Sequence, residues 1–254
     1  DRYLAEVLAM GCWTPVETFG LDASLIPQSA PQEMHGDRAD TGAAASAGFN
    51  WTARLTQDDG SAFVVVHDGV EIGEVRWPLL GRHNVMNALA SLAAINAVGV
   101  DAASVLPALA NFRSVKRRME VIGTHDGITV YDDFAHHPTA IATTLAGLRA
   151  KVGAARIVVA MEPRSNSMRL GAHAEALAPS LDLADEVVFL HRPELAWDAG
   201  KVVGGLRGRG VTAPHVDRLI ETLRECVQQG DHVVFMSNGG FDGAPRRFLA
   251  ALQG

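Results

Sequence analysis

Cysteine and long apolar runs are scarce in this sequence, and basic residues are in the minority. Two isolated thiols, Cys12 and Cys226, do not make a disulfide framework, so a reducing cytoplasm is the expected compartment. No apolar stretch has the length that a bilayer-spanning helix needs. The first residues also lack the basic, apolar and cleavage regions of a signal peptide. A disulfide-rich secreted protein and a membrane protein are therefore not expected.

The charge balance argues against a nucleic-acid-binding protein, and several common catalytic and phosphate-binding motifs are missing. The formal net charge is −7, and the one short basic run, 116–118, is followed by Glu120, so no nucleic-acid surface is expected. The sequence has no H-E-x-x-H, C-x-x-C or G-x-S-x-G motif and no G-x-x-x-x-G-K-[ST] phosphate loop. The fingerprint G-x-G-x-x-G is absent as well, which leaves a nicotinamide oxidoreductase as a distant alternative.

The 254 residues suit one large domain or two modest ones, and the periodicity changes near 111–113, where we place a domain boundary. Upstream, a Pro-, Gly- and Ala-rich loop leads from a first helix to about residue 50, and Asp68-Gly69 predicts a hairpin turn. The predicted elements of this part are a helix over 4–10, strands over 51–55, 62–67 and 70–75, a helix after Gly81, and a short helix over 102–110.

Downstream of the boundary, a hairpin over 119–130 is followed by alternating strands and helices. The predicted strands are 128–131, 157–161, 187–190 and 233–236, and the helical faces are Ile141/Leu145/Leu148, Leu170/Ala174/Leu177/Leu181, Leu219/Leu223/Val227 and a last helix over 246–252. Continuously apolar strands separated by helices indicate an α/β domain with a parallel sheet covered on both faces. The glycine-rich segment 204–210 is predicted to be a flexible loop.

Polar clusters follow three of these strands, at the edge where parallel sheets bind ligands. In Tyr131–Pro138, Pro138 suits the first position of a helix, whose positive end then points at the strand end. Asp133 can accept hydrogen bonds from ribose hydroxyls, and His136 and His137 can donate to phosphate or carboxylate oxygens. A capping aspartate with two surface histidines is the alternative, which the density of polar groups makes less favourable.

Two further clusters are ambiguous when each is taken alone. Arg164 offers a fork for a carboxylate or phosphate, with Ser165 and Asn166 beside it, but a plain polar loop is an equal explanation. Ser237 and Asn238 open a segment, 237–240, that could present backbone N–H groups to an anion. For that segment alone, an ordinary strand-to-helix turn is the better explanation.

Residues of the upstream part could face a nucleotide base. Asn84 and Asn87 lie three apart at the start of a helix, and their carboxamides can pair with both edges of an adenine. Asn84 could instead cap the helix while Asn87 is solvated. Arg118 could reach a phosphate or remain an exposed hairpin charge.

Taken together, these clusters resemble the Mur ligase family, whose members join an amino acid or peptide to UDP-N-acetylmuramate precursors. Residues 81–87 (GRHNVMN) are similar to the family's G-x-H-N-x-x-N segment, Arg118-Met119-Glu120 to its R-x-E segment, and 133–136 (DFAH) to its D-Y-x-H segment. Asp242 stands where the family pattern leads us to expect glycine. The resemblance spans nearly the whole chain, and the ordered set of motifs is more specific than any one of them.

The resemblance implies ATP and Mg²⁺ as cofactors, UDP-N-acetylmuramate as a substrate, and an acyl-phosphate intermediate. It implies nucleotide contacts for His83, Asn84, Asn87 and Asp133, and phosphate contacts for the catalytic residues Arg118 and His136. It also implies a partial ATP-binding domain over 1–111 and a Rossmann-like ligase domain over 112–254. Because the phosphate loop is absent, the chain is expected to be a fragment that does not catalyse ligation alone.

Within the family, residues 162–171 (EPRSNSMRLG) most resemble members that attach the murein tripeptide L-alanyl-γ-D-glutamyl-meso-diaminopimelate. The substrate contacts implied are Arg164, Ser165, Asn166, His137, Ser237 and Asn238, and no protein metal ligand is expected. The alternatives are a family member that adds L-alanine, which shares most motifs, and a non-catalytic module that binds a nucleotide or peptide.

Overall fold

The computed structural model describes residues 2–21 and 49–254, which form two compact units. The first comprises 2–21, 49–57, 62–77 and 84–111, and the second comprises 58–61, 78–83 and 112–254. The chain passes from the first unit to the second between Asn111 and Phe112, and 58–61 and 78–83 also belong to the second unit. Most of the predicted Pro-, Gly- and Ala-rich loop, 22–48, lies outside the described residues.

Within residues 2–21, 49–57, 62–77 and 84–111, the first unit contains a four-stranded sheet of order β1-β2-β3-β4 and three helices. Its elements are α1 Arg2–Ala9, β1 Phe19–Leu21, β2 Trp51–Leu55, β3 Ala62–His67, β4 Val70–Arg76, α2 Arg82–Ala97 and α3 Ala102–Ala110. Asp68 and Gly69 both have positive φ, which is the backbone that a tight hairpin turn requires, so β3 and β4 pair antiparallel as predicted. Trp51 and Phe63 are fully buried and anchor this unit's core.

The second unit contains a six-stranded sheet with six helices among the described residues. Its elements are β5 Glu120–His125, β6 Ile128–Asp133, α4 Pro138–Val152, β7 Ile157–Met161, α5 Asn166–Arg169, α6 Ala174–Ser180, β8 Glu186–Leu190, α7 Ala199–Gly204, β9 Arg209–Ala213, α8 Val216–Cys226, β10 His232–Met236 and α9 Ala244–Gln253. A 3₁₀ turn at Phe241–Gly243 precedes α9.

The sheet of the second unit has the order β5-β6-β10-β7-β8-β9, and all its pairings are parallel except that of β5 with β6. Every residue of β7 and β8 is buried, because helices cover both faces of these central strands. One face packs under α4, α6 and α7, and the other packs under α8 and α9. The predicted α/β class with a parallel Rossmann-like sheet is confirmed.

Two predictions about this unit were wrong. Residues 204–210 are not a flexible loop, since Gly204 ends α7 and Arg209 begins β9. Their glycines serve close packing: a Cβ on Gly208 would lie 2.6 Å from the carbonyl oxygen of Ala184. The apolar positions from Leu170 to Leu181 do not form one helical face either, because Gly171 turns the chain at φ +78° and leaves Leu170 exposed. Periodicity also missed the three-residue strand β1.

Candidate active site

The three predicted polar clusters meet at one edge of the six-stranded sheet. Strand β10 lies between β6 and β7, and its last residue, Met236, is in register with Asp133 of β6 and Met161 of β7. The amide of Ser237 donates to the carbonyl of Asp133 at 3.2 Å, and the amide of Glu162 donates to the carbonyl of Met236 at 3.0 Å. Chain order separates these clusters widely, but the strand order makes them neighbours.

Asp133 is the most buried acid on the β6 side of this edge. Its carboxylate accepts hydrogen bonds from the amide of Ala135 at 2.7 Å and from the amide of Met119 at 2.8 Å. Burial raises the pKa of Asp133, which is 2% exposed, while the two amides and the charge of Arg118 act in the opposite direction. In this structure the carboxylate therefore joins β6 to the turn before β5.

That turn, 117–119, carries the predicted phosphate-binding residue Arg118. The guanidinium of Arg118 lies over the ring of Phe134, with 5.5 Å from Cζ to the ring centroid. His136 also packs on Phe134, edge to face at 5.3 Å, and its Nδ1 lies 2.9 Å from the Phe134 carbonyl oxygen. The structure thus brings Arg118 and His136 into contact with one aromatic ring, directly after the strand that ends in Asp133.

His137 forms the N-cap of α4, as the Pro138 position predicted. Its Nδ1 accepts from the amide of Thr139 at 3.3 Å, and its ring meets that of His173 edge to face at 4.5 Å. Burial lowers the pKa of His137, and the neighbouring charges of His173 and His136 lower it further. The neutral form is therefore favoured, which suits capping, while Nε2 is not needed for the cap.

The next strand end is organised around the buried carboxylate of Glu162. The hydroxyl of Ser237 donates to Glu162 at 2.6 Å, and Arg192 donates through Nε and Nη2 at 3.1 and 2.9 Å. Ser237 is fully buried and its Oγ also accepts from the amide of Gly239 at 2.9 Å. The predicted direct contact of Ser237 with a substrate is therefore corrected: its side chain is enclosed, and it holds Glu162 and the turn after β10.

Arg164 is exposed to solvent. Its side chain is 51% exposed, and its Nη1 lies 3.8 Å from Oε1 of Glu162, which is a long distance for an ion pair. Gly239 makes room for it, since a Cβ there would lie 2.0 Å from Cδ of Arg164. The side-chain oxygen of Asn238 is buried and has no hydrogen-bond partner among the described residues, so it remains available as an acceptor.

Ser165 and Asn166 have different positions in the short helix α5. The hydroxyl of Ser165 caps the helix by accepting from the amide of Met168 at 3.3 Å. Asn166 is the first residue of that helix and is exposed. The capping contact accounts for Ser165 locally, whereas nothing in the packing accounts for Asn166.

A cleft of about 450 Å³ opens beside Glu162 and Arg164. Its lining residues are Glu162, Pro163, Arg164, Arg169, Leu190, Arg192, Glu194, Leu195 and Asp242. Arg192 spans part of it, donating to Glu162 and, at 2.7 Å, to Asp242. The mixture of three arginines, three acids and a few apolar walls suits a ligand that carries charges of both signs.

The predicted adenine contacts are on the chain before residue 111. His83 is exposed and its ring packs over Gly81, in the segment 78–83 of the second unit. Asn84 and Asn87 lie in the first unit on the first turns of α2, three residues apart, with Asn87 exposed. No group of three or more His, Cys, Asp or Glu side chains among residues 2–21 and 49–254 is arranged to hold a metal ion.

Comparison with known proteins agrees with this geometry. A family model described as Mur ligase, glutamate ligase domain, matches residues 117–239, which include all three strand ends. The chain is also 40% identical over 253 residues to the UDP-N-acetylmuramate–L-alanyl-gamma-D-glutamyl-meso-2,6-diaminoheptandioate ligase of Escherichia coli K12, a match that covers 99% of this chain and 50% of that protein. This chain belongs to the Mur ligase family.

Other Mur ligases are similar over different shares of the chain. A crystal structure of a murein peptide ligase from Psychrobacter arcticus 273-4 matches 99% of this chain and 49% of that one, with 35% identity and a TM-score of 0.67. The UDP-N-acetylmuramate–L-alanine ligase of Mycolicibacterium vanbaalenii is 36% identical over 188 residues, which is 70% of this chain and 39% of that protein. The chain spans about half the length of the first two relatives.

Several residues of this Mur ligase site escaped sequence reasoning. Arg192 and Asp242 come from separate loops and meet only in the fold, so no spacing could pair them. Arg117 was overlooked beside its neighbour Arg118, although its side chain reaches the carbonyl of Ser237. Glu162 and Arg192 could have been predicted as a pair, because Glu162 follows β7 and Arg192 follows β8 and these parallel strands are neighbours.

Proposed function

We propose that this chain supplies the acceptor-binding part and some nucleotide contacts of an ATP-dependent ligase that joins L-alanyl-γ-D-glutamyl-meso-diaminopimelate to UDP-N-acetylmuramate. The observation that carries this proposal is the placement of two unlike subsites at the same edge of the six-stranded sheet, on either side of β10. Asp133 and Arg118 stand at the end of β6, and the arginine-lined cleft stands beyond β7 and β8. The names of the Escherichia coli and Psychrobacter relatives support the choice of reaction.

On the β6 side, the proposed ligand is the nucleotide. Asp133 would accept from ribose hydroxyls, which requires that the amides now bonded to it share the carboxylate or yield. Arg118 and His136 would face the transferring phosphate, and their common support on Phe134 fixes the spacing of the two groups. His83, Asn84 and Asn87 would contact the base.

Mg²⁺ is part of the proposal as the partner of the ATP phosphates. The described residues offer Mg²⁺ no cluster of three or more protein ligands. The groups by which this chain would offset the negative charge of the phosphates are therefore its own basic side chains. When bound, Mg²⁺ would neutralise the β- and γ-phosphate oxygens. A cytoplasmic location is proposed with it, because both nucleotide substrates are cytoplasmic. Among the described residues, no helix is long and apolar enough to cross a membrane.

On the β7 side, the proposed ligand is the tripeptide. Arg164 would bind a carboxylate, since its guanidinium is exposed and its ion pair with Glu162 is long. Asn238 would accept an N–H group through its unpaired oxygen, and Asn166 would donate from the edge of α5. His137 would donate through Nε2. Ser165 and Ser237 would act by positioning, through the cap of α5 and through Glu162.

The proposed reaction has two steps. The muramate carboxylate attacks the γ-phosphorus of ATP, which releases ADP and leaves an acyl phosphate. The amine of the tripeptide then attacks the acyl carbon, the C–O bond to phosphate breaks, and the amine loses a proton. Both steps concentrate negative charge on oxygen atoms near the phosphate, where Arg118 and a donor nitrogen of His136 would stabilise it.

Addition of L-alanine is the second candidate, since the relative from Mycolicibacterium vanbaalenii carries that name. The size and charge of the cleft favour the tripeptide, because L-alanine would leave most of a 450 Å³ space unfilled. Isothermal titration of this chain with the tripeptide, L-alanine and ADP separates the two. We expect binding of the tripeptide and of ADP, and tighter binding of L-alanine than of the tripeptide would overturn the assignment.

A further inference from the structure

Arg117 adopts a backbone conformation that non-glycine residues rarely take. Its φ is +60°, and Met119, two residues later, has φ +49°. Such a backbone costs free energy and persists only where the surroundings hold it. The turn is held on both sides: the amide of Arg117 donates to Glu120 at 2.9 Å, and its carbonyl accepts from the amide of Phe134 at 2.8 Å.

The side chain of Arg117 joins two strand ends. Its Nη2 donates to the carbonyl oxygen of Ser237 after β10 at 2.5 Å, and its Nε lies 3.3 Å from a carboxylate oxygen of Asp132 on β6. The guanidinium also lies over the Phe134 ring at 5.3 Å, the same ring that supports Arg118. The side chain is 27% exposed, so it is a partly buried clasp and not a free cation.

Beyond Ser237, the polar contacts continue to the cleft. The Ser237 hydroxyl donates to Glu162, which in turn accepts from Arg192, and the amide of Gly239 donates back to the same hydroxyl. Gly239 is the surface on which Arg164 packs. A displacement of Ser237 would therefore disturb Arg164, which is proposed to bind the peptide, and Arg192, which lines the same cleft.

We propose that Arg117 is a positioning residue shared by the two subsites: it fixes the turn that carries Arg118 and, through Ser237, the groups that hold Arg164 and Arg192. It contacts neither ligand, so its effect on each is indirect. This inference rests on the proposed function for the identity of the ligands, but the clasp itself is a property of the unliganded chain.

An arginine is suited to this role because its rigid fork can donate in two directions at once. A lysine in its place carries one ammonium and can satisfy either Ser237 or Asp132, but not both with the same geometry. Arg117→Lys should therefore retain only part of the effect. Arg117→Gly removes the side chain and also suits the left-handed backbone, which keeps the turn foldable.

The first test uses the chain without ligand. Backbone amide hydrogen exchange is compared between wild type, Arg117→Ala and Arg117→Gly, well below the unfolding midpoint. We expect faster exchange at the amide of Phe134, which donates to the carbonyl of Arg117. We also expect it at the amide of Gly239, which donates to the hydroxyl of Ser237 after β10. Faster exchange at Phe134 with an unchanged Gly239 would overturn the shared role.

The second test is titration with ADP and, separately, with the tripeptide. Arg117→Ala and Arg117→Gly should weaken both affinities by about tenfold, the effect expected when hydrogen bonds to a charged group are lost. Arg117→Lys should fall between them and wild type. Arg118→Ala should leave tripeptide binding unchanged, and Arg164→Ala should weaken only the tripeptide. If Arg117 variants weaken ADP alone, Arg117 is an ordinary phosphate ligand and the inference fails.

Two controls separate positioning from general stability. Lys116→Ala removes the adjacent exposed charge and should leave both affinities unchanged. Arg156→Ala removes an arginine of similar exposure, 25%, that bridges Glu186 and Asp231 at the opposite edge of the sheet. It should lower Tm as much as Arg117→Ala does without weakening either ligand. Equal losses of ligand affinity in Arg117→Ala and Arg156→Ala would contradict a positioning role. If the wild-type chain binds neither ligand, the proposed function is rejected. The amide hydrogen exchange of the first test then decides whether Arg117 joins the two strand ends.

Discussion

Gly239 lies so close to Arg164 that a Cβ built on it would fall 2.0 Å from Cδ of that arginine. Because the obstacle is a flexible, half-exposed side chain and not backbone, an added methyl group would displace Arg164 and leave the fold intact. We expect Gly239→Ala to weaken tripeptide binding by about tenfold with little change in Tm. Gly240→Ala is the matched control, since a Cβ there meets nothing within 4 Å. Equal effects of the two substitutions in calorimetric titration would contradict the role given to Arg164.

Glu162 stabilises the strand ends by pairing with Arg192 and accepting from Ser237. Glu162→Gln removes the negative charge that pairs with the partly buried Arg192 and keeps only a neutral acceptor oxygen in its place. We expect a loss of about 2 kcal/mol in the free energy of unfolding, measured by urea denaturation. Glu194→Gln, an exposed acid on the same cleft, should change it by less than about 0.5 kcal/mol. A Glu162→Gln protein as stable as wild type would show that the network does not hold the turn.

His137 should titrate below the ordinary histidine range, because burial and the neighbouring His173 and His136 lower its pKa. A lowered pKa in the folded state means that the contribution of neutral His137 to stability is present above the unfolded pKa. That contribution is lost as pH falls through the folded pKa. We expect His173→Ala to raise the pKa of His137 in an NMR titration. His125→Ala, at the far end of the β5–β6 hairpin, should leave it unchanged, and an equal shift in both variants would reject this cause.

Asp242 has a φ of +49°, which lies in the left-handed region that favours glycine. Its carboxylate accepts from Arg192 at 2.7 Å, and that bond lowers the pKa of Asp242. Asp242→Gly should free one side of Arg192 and remove an acid from the cleft, so we expect tighter binding of the anionic tripeptide. Stability should change little, since both side chains are partly exposed. Weaker binding would instead show that Asp242 contacts an ammonium group of the ligand.

Much of the fold followed from local patterns, because strong periodicity and turn chemistry act over short distances. Strands over 51–55, 62–67 and 157–161 have the predicted bounds, and the Asp68–Gly69 turn formed where expected. Residues 204–210 were mistaken for a loop because glycine is also used for close packing, which only tertiary structure shows. Strand β1, at three residues, is too short to carry a period.

The candidate site was predicted in part. The positions of Asp133, His137 and Arg164 near strand ends followed from the sheet rule, since each lies in the polar segment that follows an apolar run. The sequence could not show that β10 lies between β6 and β7, and that order is what encloses Ser237 and joins it to Arg117. Which ligand each subsite binds stays a prediction.

The ligation assay tests the central claim most directly. The full-length product of the gene that encodes this chain is incubated with UDP-N-acetylmuramate, ATP, Mg²⁺ and either the tripeptide or L-alanine, and products are identified by mass spectrometry. We predict one UDP-N-acetylmuramyl-tripeptide and one ADP per turnover, loss of activity in Arg118→Ala, and no ligation by the 254-residue chain alone. Efficient use of L-alanine with no tripeptide product, or tripeptide ligation without ATP, would contradict this account.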